Sequence, residues 1–148
     1  MSIGILKIEV LEAKLTHDTE TFGKMDPFVW IKYREQEWKS AVCKSGGKTP
    51  KWLNQVMVVD AKYLGDDIFI NVRDEDPCKS DSIGETKVKL SALVFNGGLE
   101  EWFELYFQGK SAGKLHLKCK WEPSAQHGVT VQPVGQPGMM VPPVMPPT

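Results

Sequence analysis

Eight short runs in which apolar and polar residues alternate constrain this chain more than any other feature. They lie at about 3–13, 27–34, 36–43, 54–60, 67–74, 84–90, 100–107 and 113–121. Successive side chains of an extended strand point to opposite faces, so such alternation marks strands with one buried face. Leu6, Ile8 and Val10 fall on one side, Lys7 and Glu9 on the other. Val29, Ile31 and Tyr33 alternate with Trp30 and Lys32. Leu115, Leu117, Cys119 and Trp121 alternate with Lys114, His116, Lys118 and Lys120, which predicts a half-buried strand with a basic outer face. No segment gives a long helical stripe, and only Ser91–Phe95 leaves room for one helical turn. Regular short strands between polar turns predict an all-β fold, an eight-stranded antiparallel β-sandwich.

The 148 residues allow one domain and a tail. With 41% hydrophobic and 25% charged residues, a core of ordinary size forms without disulfide or metal staples. The domain spans 1–121. From 122 to 148 the composition changes: seven of the ten prolines lie there, with Gly, Gln, Val and Met and no Lys or Arg. That stretch reads as a disordered tail with polyproline II bias. It is either inert or a docking segment for a protein partner, and its Met-Met-Val-Pro-Pro-Val-Met part leaves a packing role open.

Cys43, Cys78 and Cys119 are odd in number and lack a Cys-x-x-Cys pair, so reduced thiols in a cytoplasmic protein are expected. The first ten residues have no basic n-region, and Lys7 and Glu9 break their apolar run. They read as a strand rather than a signal peptide. No apolar run approaches transmembrane length, and lipidation signals are absent. Any membrane contact is therefore expected to be peripheral.

Two acidic clusters stand at strand ends: Asp18-Thr-Glu20-Thr-Phe-Gly-Lys-Met-Asp26-Pro, and Asp74-Glu-Asp76-Pro-Cys-Lys-Ser-Asp81. Ile68, Ile70 and Val72 share the inward face of their strand, and the same period carries on to Asp74 and Asp76. The core-facing row thus runs out into an acidic mouth, while Glu75 points away. Asp81 follows after a short loop, and Gly84 is expected to turn the chain into the next strand. In the first cluster Gly23 supplies a turn, and Pro27 holds Asp26 extended at the start of a strand. Acidic loops are also common as solvated turns, since Asp favours turns through its own side chain. The two clusters together favour a divalent cation, and Ca²⁺ takes six to eight oxygen ligands of this kind.

Three stretches carry a family resemblance: Gly23-Lys-Met-Asp26-Pro-Phe-Val, Lys48-Thr-Pro-Lys-Trp52-Leu-Asn54-Gln, and Val72-Arg-Asp74-Glu-Asp76 followed by Asp81-Ser-Ile-Gly84-Glu. In this order they resemble the C2 domain, a calcium- and lipid-binding module, over about residues 3–121. The resemblance implies the permuted, phospholipase-type strand topology, with three loops holding Ca²⁺ at one end. It carries the ligand roles to Glu20, Asp26, Asp74, Asp76 and Asp81. Glu20 stands where the family usually has Asp, and Leu53 adds a residue to the Trp-Asn motif.

The implied function is calcium-dependent binding to an anionic phospholipid membrane, as sensor or adaptor. Lys24, Lys48 and Lys79 in the loops would add about 1 kcal/mol each near such a surface. Phe22 either inserts or packs on Met25. A second basic group, Lys39, Lys44, Lys48 and Lys51, matches a region that binds phosphoinositides in the family; a solvated strand face is the plainer reading. The alternative function is a calcium-independent scaffold that holds a protein partner through the tail. An enzyme is not expected: His17, His116 and His127 sit in no catalytic motif. Nor is nucleic-acid binding, with a net charge of −1 and no recognised motif.

Overall fold

The computed structural model describes residues 1–125. Eight strands are present: β1 (Gly4–Leu15), β2 (Pro27–Tyr33), β3 (Gln36–Lys39), β4 (Lys51–Ala61), β5 (Asp67–Glu75), β6 (Ser80–Lys89), β7 (Gly98–Phe107) and β8 (Lys110–Pro123). A single helical turn, α1 (Leu90–Val94), and a 3-10 turn at Phe95–Gly97 link β6 to β7. Every strand pairs antiparallel with its neighbours, in the order β3-β2-β5-β6-β7-β8-β1-β4. The β6–β7 junction is a single residue pair, Glu85 with Tyr106. It divides the order into two four-stranded layers. β1 leads directly into the first acidic loop and lies between β4 and β8, as the permuted topology requires.

The alternation in the sequence maps onto burial. Leu6, Ile8, Val10, Val29, Ile31, Tyr33, Ile68, Ile70, Val72, Leu115 and Leu117 are all fully or almost fully buried between the layers. Burying one such aliphatic side chain contributes about 1.5–3 kcal/mol. Cys119 lies in the same core, and burial pushes its thiol pKa up to about 12. Tyr33 is fully buried, but its hydroxyl is satisfied. It donates to Asp66 Oδ2 at 2.6 Å and accepts from the Lys62 N–H at 2.8 Å.

Some local features differ from the sequence expectation. β3 stops at Lys39, because Ser40 turns its hydroxyl onto the Val29 N–H at 2.8 Å and the chain leaves regular pairing. β6 starts at Ser80, so Gly84 makes no turn; it lies inside the strand, where a Cβ would come within 2.9 Å of Ala112 Cβ and 3.0 Å of Leu105 Cβ. Its value is close approach between the layers. The extra residue Leu53 is taken up as a bulge: Val10 pairs with Gln55 and Glu12 with Lys51, and Asn54 takes a left-handed φ of 58°. β8 runs two residues beyond Trp121, to Pro123; the tail beyond Ala125 lies outside the described residues.

Candidate metal centre

Three loops meet at one end: residues 16–26 after β1, 40–50 after β3, and 76–79 after β5. They are tied by backbone and side-chain bonds. Gly47 N–H donates to Met25 O at 3.0 Å, and Glu75 N–H to Asp26 O at 3.1 Å. Ser45 N–H donates to Asp26 Oδ1 at 2.7 Å. Met25 is fully buried and plugs the base of the first loop, where its sulfur receives the Thr19 N–H. His17 fixes the loop's other root, stacking on Phe107 at 4.0 Å with Nδ1 2.7 Å from Ile83 O.

Asp74 is the centre of the arrangement. It continues the inward row Ile68, Ile70, Val72 and is itself fully buried. A carboxylate taken out of water must be compensated. Thr19 Oγ1 donates to its Oδ2 at 2.7 Å, and the Asp26 N–H to its Oδ1 at 2.7 Å. Glu20 and Asp76 converge on it: one carboxylate oxygen from each of the three lies within 4.8 Å of the others. Asp26 and Asp81 flank this trio. Asp26 spends Oδ1 on the second loop, and Asp81 pairs across the ladder with Asp74, with Lys79 Nζ at 3.9 Å. Asp18 accepts the Glu20 N–H at 2.9 Å and so shapes the turn that presents Glu20. Glu75 points outward to Lys44, at 3.7 Å.

The electrostatics record the crowding. Glu20 has its pKa raised to about 7, first by a hydrogen bond that its protonated form shares with Asp74, then by the Asp74 charge, with burial and the charges of Asp76 and Asp26 adding to it. Asp76 is also raised, first through its hydrogen bond with Asp81, then by burial and the charges of Asp74 and Asp81. Like charges at this range cannot all ionise without a counter-ion. All-oxygen donors from the first loop, the end of β5 and the third loop suit a hard divalent cation, and Ca²⁺ fits the donor set through Glu20, Asp74 and Asp76.

Around the mouth, Phe22 is 88% exposed and does not pack on Met25. Lys24, Lys48 and Lys79 are exposed on the same three loops, and the Lys24 methylenes lie across Gly47.

A second feature is not legible as a unit in the sequence. Outside the β2-β5-β6 layer, a cleft of about 670 Å³ is lined by Trp30, Lys32, Phe69, Arg73, Lys87 and Tyr106 among others. Trp30 is ringed by cations: Lys32 Nζ at 4.1 Å, Lys39 Nζ at 4.9 Å and the Arg73 guanidinium at 5.5 Å from its ring centroid. Its indole N–H donates to Glu37 at 2.7 Å. Lys39 is a candidate from sequence; Lys32, Arg73 and Lys87 are not. Lys44, Lys48 and Lys51 stand apart, in the second loop and at the start of β4. The signal lies in the outward positions of the alternation, but it needs the non-sequential strand order to become a patch.

Comparison with known proteins agrees with this architecture. The chain is 33% identical over 124 residues to extended synaptotagmin-2 of Mus musculus, covering 80% of this chain and 14% of that protein. It is 31% identical over 121 residues to synaptotagmin-4 of Arabidopsis thaliana, covering 81% of this chain and 21% of that one. The chain thus spans less than a quarter of these relatives. A solved structure of two C2 domains of extended synaptotagmin 2, calcium bound, superposes with a TM-score of 0.71 at 32% identity, covering 82% of this chain and 46% of that one. A single C2 domain of plant extended synaptotagmin 1 matches with a TM-score of 0.72 at 23% identity, over 84% of this chain and 98% of that one, and bears on the fold alone. A model of the C2 domain matches residues 4–105. The chain belongs to the C2 domain family.

Proposed function

We propose that the chain is a calcium-dependent peripheral module for anionic phospholipid membranes. The observation that carries the reading is the convergence of Glu20, Asp74 and Asp76 beneath an exposed aromatic and a rim of lysines. Empty, the mouth repels a negative surface. Filled, its charge is neutralised and the bound ion takes lipid phosphate oxygens as further ligands, while Lys24, Lys48 and Lys79 add attraction. Asp26 and Asp81 hold the mouth's sides. The calcium-bound relative supports the same reading. No helix among the described residues is long and apolar enough to cross a membrane. Sedimentation with phosphatidylserine vesicles tests the proposal: binding in calcium, none in chelator, and none in either condition for Asp74→Asn with Asp76→Asn. Equal binding in all cases would sink it.

The basic cleft around Trp30 supports a second lipid contact. Three cations, Lys32, Arg73 and Lys87, line one groove with an aromatic floor and a single acid, Glu85; beside it Lys39 lies over the Trp30 ring and Glu37 accepts the indole N–H. A multiply phosphorylated headgroup suits this set. Binding there needs no calcium. It is read by adding phosphoinositide to vesicles in chelator and comparing the wild type with the double variant Lys32→Ala and Lys87→Ala.

A further inference from the structure

β4 lies at one end of the strand order and pairs, among the described residues, with β1 alone. Backbone groups along an antiparallel strand face alternately toward and away from a given neighbour. Ala61 O accepts the Ile3 N–H at 2.8 Å, just before β1, so Ala61, Val59 and Met57 face that strand. Asp60, Val58 and Val56 therefore turn their backbone groups outward. Gln36 answers Asp60 as a neighbouring strand would: its Nε2 donates to Asp60 O and its Oε1 accepts the Asp60 N–H, both at 2.8 Å. Toward the other end, Gln55 Oε1 accepts the Ala41 N–H at 2.8 Å. Between these glutamine ties, Val56 and Val58 keep their outward N–H and C=O groups without a hydrogen-bond partner among the described residues. Proteins ordinarily guard such an edge with lysine, proline or a covering segment. Here the side chains are valines, Val58 58% exposed and Val56 38%.

The charges beside the valines identify the occupant. On β1, Lys7 lies next to Val58 and Glu9 next to Val56. Behind them β8 places a lysine in either row, Lys120 and Lys118, so β1 makes the difference between the rows. Pairing with a second copy can be judged register by register. Val56 against Val56 sets the two Glu9 rows head to head and leaves Val58 facing Asn54, whose left-handed φ of 58° takes it out of regular pairing. Val58 against Val58 sets the Lys7 rows head to head and puts Val56 opposite Asp60, whose backbone Gln36 already holds. Val56 against Val58 avoids both conflicts. Each valine then meets a valine, each Glu9 row meets a Lys7 row, and each pair exchanges both of its backbone bonds.

We propose that the β4 edge binds a second copy of this chain, antiparallel about a dyad at Met57, with Val56 of each copy opposite Val58 of the other. The sheet then continues from one copy into the next. β4 leaves the second loop at Lys51 and runs away from it, so the two metal centres lie at opposite ends of the pair and both stay open. The pairing needs neither calcium nor lipid.

Sedimentation equilibrium of the full chain in chelator tests the proposal. A contact this small sits at the weak end of specific interfaces, so a dimer is expected at about 1 mM protein and a monomer at about 10 µM. Val56→Lys with Val58→Lys sets like charges across the dyad and is expected to stay monomeric at both. Val56→Glu with Val58→Lys sets opposite charges across it in this register alone, and is expected to associate about tenfold more tightly than the double-lysine variant. In the wild type, the amides of Val56 and Val58 are expected to exchange more slowly at the higher concentration, while those of Met57 and Val59 do not change. A monomer at the higher concentration would overturn the proposal, and so would a dimer that persists in the double-lysine variant. Equal association of the two variants, or Val56 and Val58 amides indifferent to concentration, would overturn it as well.

Discussion

Thr19 and Asp74, separated by 55 positions, meet through a 2.7 Å hydrogen bond that ties the first loop to the end of β5. The hydroxyl compensates a fully buried carboxylate, and losing a partner of that kind costs about 1–3 kcal/mol. Thr19→Val is therefore expected to lower stability by about 1–2 kcal/mol in chelator, as read by urea titration. Saturating calcium should shrink the deficit, because the ion then satisfies Asp74, and Thr19→Ser should restore the lost stability. An identical deficit with and without calcium would rule out a shared role.

The raised pKa of Glu20 makes the site sensitive to pH. A carboxyl lifted from 4.5 to about 7 favours its protonated form in the folded state. Its contribution is fully present below the unfolded value and is lost as pH rises through the folded one. The metal-free protein is thus expected to lose stability between about pH 4.5 and 7, while calcium binding tightens across the same interval and releases a proton. Glu20→Gln should flatten the stability curve. Thermal melts in chelator, and calorimetry in buffers of different ionisation enthalpy, check both halves.

Phe22 contributes nothing to the core, at 88% exposure. Phe22→Ala is expected to leave the melting temperature unchanged and weaken calcium-dependent vesicle binding about fivefold, corresponding to about 1 kcal/mol of partial apolar burial. A fall in melting temperature would show that Phe22 packs in the protein after all.

Tyr33→Phe probes the far end of the sandwich. It removes the donor to Asp66 and leaves the half-buried Lys62 N–H without its 2.8 Å acceptor. A loss of about 1–3 kcal/mol is expected. Arg34, which also binds Asp66 at 2.7 Å, keeps that carboxylate paired and limits the damage. Calcium affinity should not move.

How much of this is legible in the sequence depends on range. Strand existence follows from alternation, because burial on one face is a local, period-two property. Asp74 and Asp76 emerge the same way, as the continuation of Ile68, Ile70 and Val72. Thr19 does not, because a threonine in a polar loop carries no signal of its own; only the packing of the first loop against β5 gives its hydroxyl a target. The Trp30 cleft stays hidden because Lys32, Arg73 and Lys87 come from β2, β5 and β6, and a sequence does not display which strands lie side by side. Gly84 reads as a turn, yet it admits the close approach of Ala112 and Leu105, a constraint set by residues about twenty or more positions away.

The ties among Asp26, Ser45 and Glu75 have a kinetic consequence. The first two loops and the end of β5 form one braced unit before any ion arrives. Capture then needs no slow rearrangement of that unit, and the association rate should approach the diffusional limit. Differences in affinity among variants of the mouth would accordingly appear as differences in how long the ion stays.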